Sequence, residues 1–91
     1  MNFDEHSKPK KQERFLIKLI DEEYVILDVQ SNEIHQLNSS ASVILNLCDG
    51  TLSIKEISQY FSETYSVPYD LALKDVANTI DIFNQKNIIT L

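Results

Sequence analysis

The apolar positions of this chain change their period once, near Asn38. Before it, β-branched, aromatic and aliphatic residues crowd into three short runs at 15–20, 24–29 and 33–37, broken at Asp21-Glu22-Glu23 and at Gln30-Ser31-Asn32. Short runs of this content, bounded by polar turn residues, predict three antiparallel strands. The first two are apolar on both faces, so one face is expected to cover the helices while the other is only partly screened. The third is shorter and more polar, and as the margin of a small meander it is expected to keep an unpaired edge.

After Asn38 the spacing becomes helical. Ala41, Ile44, Leu45 and Cys48 share one face of a first helix, with Asn38 or Ser39 as its N-cap. Ile54, Ile57, Phe61 and Tyr65 repeat the pattern in a second helix, and Leu73, Val76, Ala77, Ile80 and Phe83 in a third. The junctions carry their own signatures. Asp49-Gly50 is expected to close the first helix, Gly50 being the only glycine in the chain and the natural left-handed residue. Ser53 and Glu56 stand three apart and read as a capping box opening the second helix. Pro68 and Asp70 mark the entry to the third, Pro68 by its restricted φ and Asp70 as a cap favoured by the helix dipole. Asn87 is expected to close that helix, and 88–91 to return as an extended segment against the core. The fold class is therefore α+β: a three-stranded antiparallel N-terminal β-meander followed by three helices, like a winged helix-turn-helix with its hairpin moved to the N-terminus.

Ninety-one residues, 43% of them apolar, suffice for one small core and leave no room for a cleft between two domains. Residues 1–12 carry little apolar pattern and read as a flexible leader, followed by a single domain at 13–91. No apolar run approaches the roughly 18 residues of a membrane span, and a cytoplasmic location is expected. With one cysteine there is no internal disulfide and no paired-cysteine zinc site, and Cys48 reads as a small core hydrophobe. His6 and His35 are the only histidines, and they lack metal-ligand spacing. Neither a Gly-rich phosphate loop nor a nucleophile–base arrangement is evident, so no catalysis and no cofactor are expected.

Charge narrows the partners further. The chain carries 14 acidic and 8 basic residues, net −6, and three of the basic ones, Lys8, Lys10 and Lys11, lie in the expected leader. A third helix bearing Asp70, Asp75 and Asp81 against Lys74 and Lys86 is a poor surface for phosphate, which weighs against the winged-helix DNA-binding alternative. A self-associating interaction module, a homodimer built on the exposed strand edge, is the other alternative. Tyr60, Tyr65 and Tyr69 read as rim packing.

The segment LNSSASVILNLCDGTLSIKEI, Leu37 to Ile57, resembles the signature of the PqqD-like proteins, in which an LN-x-x-A helix ends in a Cys-Asp-Gly or related turn and a capped helix follows. DVANTIDIFNQKNII, Asp75 to Ile89, resembles that family's closing helix. Two positions depart from the pattern: Asn87 stands where the family commonly has Gly, and Thr79 where it often has a large apolar residue. The resemblance implies a RiPP recognition element, a non-catalytic module that binds the leader of a ribosomally made precursor peptide and presents it to a modifying enzyme. The implied enzyme is a radical S-adenosylmethionine enzyme, with other tailoring enzymes, including leader peptidases, as alternatives. It also implies that the leader adds as a strand to the third β-strand, here Glu33, Ile34, His35, Gln36 and Leu37, and packs against the last helix.

The residues themselves are compatible with that mode, since an open edge supplies backbone affinity and side-chain pockets supply selectivity. On the last helix Leu71, Lys74, Asp75, Asn78 and Ile82 form a second face. Lys74 is positioned to meet an acidic leader residue, and Leu71 with Ile82 either bury an apolar anchor or simply widen the core stripe.

Overall fold

The computed structural model describes residues 4–21 and 23–91; Met1 to Phe3 of the expected leader and Glu22 of the expected first turn lie outside them. Eight elements follow in chain order: β1 (Lys10–Lys11), β2 (Phe15–Ile20), β3 (Glu23–Asp28), β4 (Glu33–Leu37), α1 (Ser39–Asn46), α2 (Ile54–Tyr65), α3 (Tyr69–Gln85) and β5 (Ile89–Thr90). β2, β3 and β4 form an antiparallel sheet in that order, and β1 pairs with β5 in a separate antiparallel ribbon. The three-strand, three-helix reading is thus correct. The second strand begins and ends one residue earlier than expected, because Glu23 pairs with Ile20 and Asp28 turns back through its carbonyl, which accepts from the Asn32 N–H at 2.8 Å.

The core forms where the inner face of the sheet meets three amphipathic helices. Ile26 on the central strand is fully buried, and Phe15, Ile44, Leu45, Ile54, Ile57, Val76, Ile80 and Phe83 close around it. Each helix contributes most of the stripe that its spacing announces; the exceptions are Tyr65, which is 41% exposed, and Ala72, which is buried on α3 outside the expected stripe. α1 opens with the Asn38 side chain accepting from the Ala41 N–H at 2.7 Å, which decides between Asn38 and Ser39 as cap. α2 opens with the full capping box: the Ser53 hydroxyl accepts from the Glu56 N–H at 3.1 Å, and the Glu56 carboxylate accepts from the Ser53 N–H at 3.0 Å. α3 ends at a left-handed Asn87, φ 58°, with the Ile88 N–H returning to the Phe83 carbonyl at 2.9 Å. Its start differs from expectation. Pro68 occupies the N-cap position with no side-chain cap, and Asp70 lies inside the first turn rather than capping it.

Two expectations fail, for one reason. The segment expected to be a flexible leader is, over residues 4–12, hydrogen-bonded along the body. The Lys55 N–H donates to the Glu5 carbonyl, the Ile54 N–H to Ser7, the Gly50 N–H to Pro9 and the Lys11 N–H to Cys48, all within 2.7–3.0 Å. Gln12 then holds the far end of the molecule, its N–H on the Ile88 carbonyl and its side-chain amide on that of Asn87. These are backbone bonds, which a polar sequence forms as readily as an apolar one, and Pro9 is buried with them. The same strap explains Gly50. α1 stops at Asn46, so Gly50 does not close the helix; its φ of 85° serves the turn beyond, where Asp49 accepts from the Thr51 N–H and the Gly50 N–H meets the strap. Cys48 likewise falls after the helix, not on it.

Removing residues 1–12 leaves the Ile54 and Lys55 amides without these acceptors and uncovers the surface under Pro9. The truncated chain is expected to lose about 2 kcal/mol or more of stability, two such bonds being worth roughly 0.5–1.5 kcal/mol each before the lost burial is added. Urea denaturation checks this, and an unchanged midpoint would show that the strap contributes nothing.

Candidate functional site

β4 is an edge strand, paired with β3 on one side and open on the other. Its side chains alternate between two faces. Glu33, His35 and Leu37 lie on the same side as Ile26 and the helices, and Ile34 and Gln36 on the outer side, opposite Leu27 and Val25. Ile34 is 63% exposed, so nothing in the fold covers it.

Three hollows follow one another along this edge. At the C-terminal end, Glu23, Tyr24, Gln36, Leu37, Asn38 and Ser39 line about 440 Å³. In the middle, a groove of about 220 Å³ lies between β4 and the second half of α3, floored by Ile26, Leu37, Ala41, Phe83 and Ile88 and flanked by Thr79, Ile82 and Lys86. At the N-terminal end, Arg14, Asp28, Glu33, His35 and Lys86 surround about 310 Å³. Adjacent hollows share residues, Gln36, Leu37 and Asn38 at one junction and His35, Lys86 and Ile88 at the other. Together they make a trough beside an unpaired strand, which is the shape an extended peptide requires.

The five strand residues expected at the site, Glu33, Ile34, His35, Gln36 and Leu37, all belong to β4. On α3 only Ile82 of the expected residues lines the trough. Leu71 and Ile82 are 55% and 51% exposed, so neither widens the core stripe, but Leu71, Lys74, Asp75 and Asn78 lie nearer the N-terminus of the helix, outside the lining of the three hollows. The residues missed are Thr79, Phe83 and Lys86, with Asn38 and Ala41 from the start of α1. Their signal is the 79, 82, 83, 86 spacing of one helical face, rotated by part of a turn from the face chosen on sequence. Thr79 fits without asking anything of a ligand, since its hydroxyl already donates to the Asp75 carbonyl at 2.9 Å.

Charge is unevenly placed along the trough. The middle groove contains no acidic residue and has Lys86 and His35 as its ionisable groups. At the N-terminal end Arg14 Nε lies 3.8 Å from the Asp28 carboxylate, and His35 Nε2 lies 3.6 Å from that of Glu33. Asp28 is only 7% exposed. Burial by itself would raise its carboxyl, but the Gln30 N–H, the Ser31 hydroxyl and N–H and the Arg14 charge outweigh this and hold it below the usual carboxylate range. A group depressed on folding contributes stability above its unfolded value and loses that contribution as pH falls through the folded one. Asp28→Asn is therefore expected to lower the melting temperature at pH 7, and the gap to the parent protein to close on acidification below about pH 4. A gap independent of pH would assign the effect to packing.

Cys48 is no candidate nucleophile. Burial, with the neighbouring Asp49 charge, pushes its thiol up to about 12, and Sγ donates to the Ile44 carbonyl. Iodoacetamide at pH 8 is expected to leave it unmodified in the folded protein and to alkylate it in urea, as mass spectrometry would show. Among the described residues no three His, Cys, Asp or Glu side chains cluster as metal ligands do, and no helix is long and apolar enough to cross a membrane.

Solved structures share this architecture. The PqqD truncation of Methylobacterium extorquens PqqCD, a stand-alone RiPP recognition element, superposes with a TM-score of 0.82 at 18% identity, covering 99% of this chain and 96% of its own. A lasso peptide synthetase B1 complexed with the leader peptide gives 0.79 at 21% identity, covering 93% and 100%. TbiB1 in complex with the TbiA(beta) leader peptide gives 0.75 at 22%, covering 88% and 93%. No curated protein matches by sequence. The fold is thus that of the PqqD-like α+β domains. Residues 23–89, most of the chain, match the family of coenzyme PQQ synthesis protein D (PqqD), and the chain belongs to that family.

Proposed function

We propose that this protein is a non-catalytic RiPP recognition element, which holds the leader of a ribosomally synthesised precursor peptide and delivers it to a modifying enzyme. The observation that carries the reading is the trough itself: an unpaired β4 beside an apolar groove, in a PqqD-family chain. Two solved structures of the same fold, a lasso peptide synthetase B1 and TbiB1, are complexes with a leader peptide. The leader adds to β4 as a fourth strand. Backbone bonds supply affinity with little demand on sequence, and side chains on one face of the leader enter the groove over Leu37, Ala41 and Ile82. The partner enzyme is a radical S-adenosylmethionine enzyme, with a leader peptidase as the alternative. The enzyme does the chemistry; this chain raises the local concentration of the right substrate.

The test is an NMR titration of labelled protein with synthetic leaders from short open reading frames beside its gene. Saturable shifts are expected along 33–37 and around Thr79, Ile82 and Lys86. Ile82 is half exposed, so Ile82→Asp keeps the core intact; it is expected to weaken binding about tenfold or more, the worth of one buried aliphatic anchor. Unchanged affinity in the folded variant, or shifts confined elsewhere, would overturn the proposed groove.

A further inference from the structure

We infer that the leader is selected by an acidic side chain seated against Lys86, two positions from an apolar anchor seated against Ile82. The inference rests on the leader-binding reading of the trough and adds a sequence requirement that the open strand edge does not impose.

Three observations lead there. On a chain of net charge −6, the lining of the middle groove is free of acidic residues. Where that groove meets the N-terminal hollow, the Arg14 guanidinium lies against the Asp28 carboxylate and His35 Nε2 lies 3.6 Å from that of Glu33. Lys86, which lines both hollows, forms no ion pair among the described residues and is left to meet a carboxylate from outside. The spacing follows from two periodicities. From Ile82 to Lys86 the helix rises about 6 Å. Same-face side chains of an extended strand repeat at about 6.7 Å. A peptide lying along β4 beside α3 therefore brings residues two apart against Ile82 and Lys86, and the ligand class is an extended segment with an apolar residue and an Asp or Glu in that relation. Thr79, whose hydroxyl is satisfied within the helix, adds no polar demand beside them.

Lys86 has a second possible role, since a cation at the end of α3 complements the helix dipole whether or not a peptide binds. The experiment separates the two. A phage-displayed library of random 12-residue peptides is selected on the full-length protein and, in parallel, on folded Lys86→Glu and Ile82→Asp variants; selected sequences are synthesised and their affinities measured by fluorescence anisotropy. The expected result is an apolar residue and an Asp or Glu two positions apart. Replacing that acid by its amide should weaken binding about three- to fivefold, as for a partly solvated ion pair. Selection on Lys86→Glu should favour Lys or Arg at the same place. Peptides that depend on Ile82 but show no acidic preference, and bind the Lys86→Glu variant equally well, would overturn this inference and leave the groove standing. Peptides indifferent to Ile82→Asp, or no selected peptide at all, would overturn the groove reading and this inference with it.

Discussion

The first amides of α2 have no partners within their own helix, and supplying those partners ties the molecule together. The Ser53–Glu56 box satisfies two N–H groups, and the carbonyls of Ser7 and Glu5 satisfy those of Ile54 and Lys55. The segment that does this cannot stop there. It continues past the Asp49-Gly50 turn, pairs as β1 with β5, and grips the end of α3 through Gln12. Lys86 and Ile88, which line the trough, lie at that same helix end. The position of α3 relative to β4, and so the width of the groove, is tied to the run of bonds that residues 5–12 make to the body.

That dependence explains what could and could not be read from the amino-acid order. Strands β2 to β4, the capping box and the Asn87 terminus each have a local cause, in side-chain period or cap chemistry, and each lies within a residue of where that cause puts it. The strap has no such cause. Lys8, Pro9 and Lys10 have neither an apolar period nor a cap motif, and what holds them is main chain meeting main chain across long sequence separations. The site was half legible for a related reason. Alternation marks β4 and its two faces, but which arc of α3 faces β4 is set by how the helix lies against α2, α1 and β5. Taking the exposed arc through Leu71 and Asn78 placed the cation at Lys74; the packed arrangement brings Lys86 to the groove instead.

The sheet itself is unequally covered. Helices bury its inner face around Ile26, while Leu16 and Ile34 remain exposed on the outer face, in register with Leu27 between them. A side chain from a fourth strand on β4 would therefore meet two distinct surroundings, an enclosed one toward α3 and an open one beside Ile34. The first is lined by Ile26, Leu37, Ala41, Ile82 and Phe83 and so can tell an apolar side chain from a polar one, whereas the second is open to solvent.

The two margins of the sheet are treated differently, and this bears on how the protein behaves in a crowded cell. Along β2, Lys18 projects from the strand and the Lys11 ammonium occupies the Phe15 carbonyl at 2.6 Å, charges of the kind that discourage sheets from growing into one another. β4 has no lysine and no proline. Joining β4 of one copy to β2 of the next would be head-to-tail contact with no symmetry to close it, so each addition would leave a fresh open edge. A peptide lying on β4 would cover that edge, so the backbone groups that could bind a leader are the same ones a bound leader would withdraw from contact with a second copy.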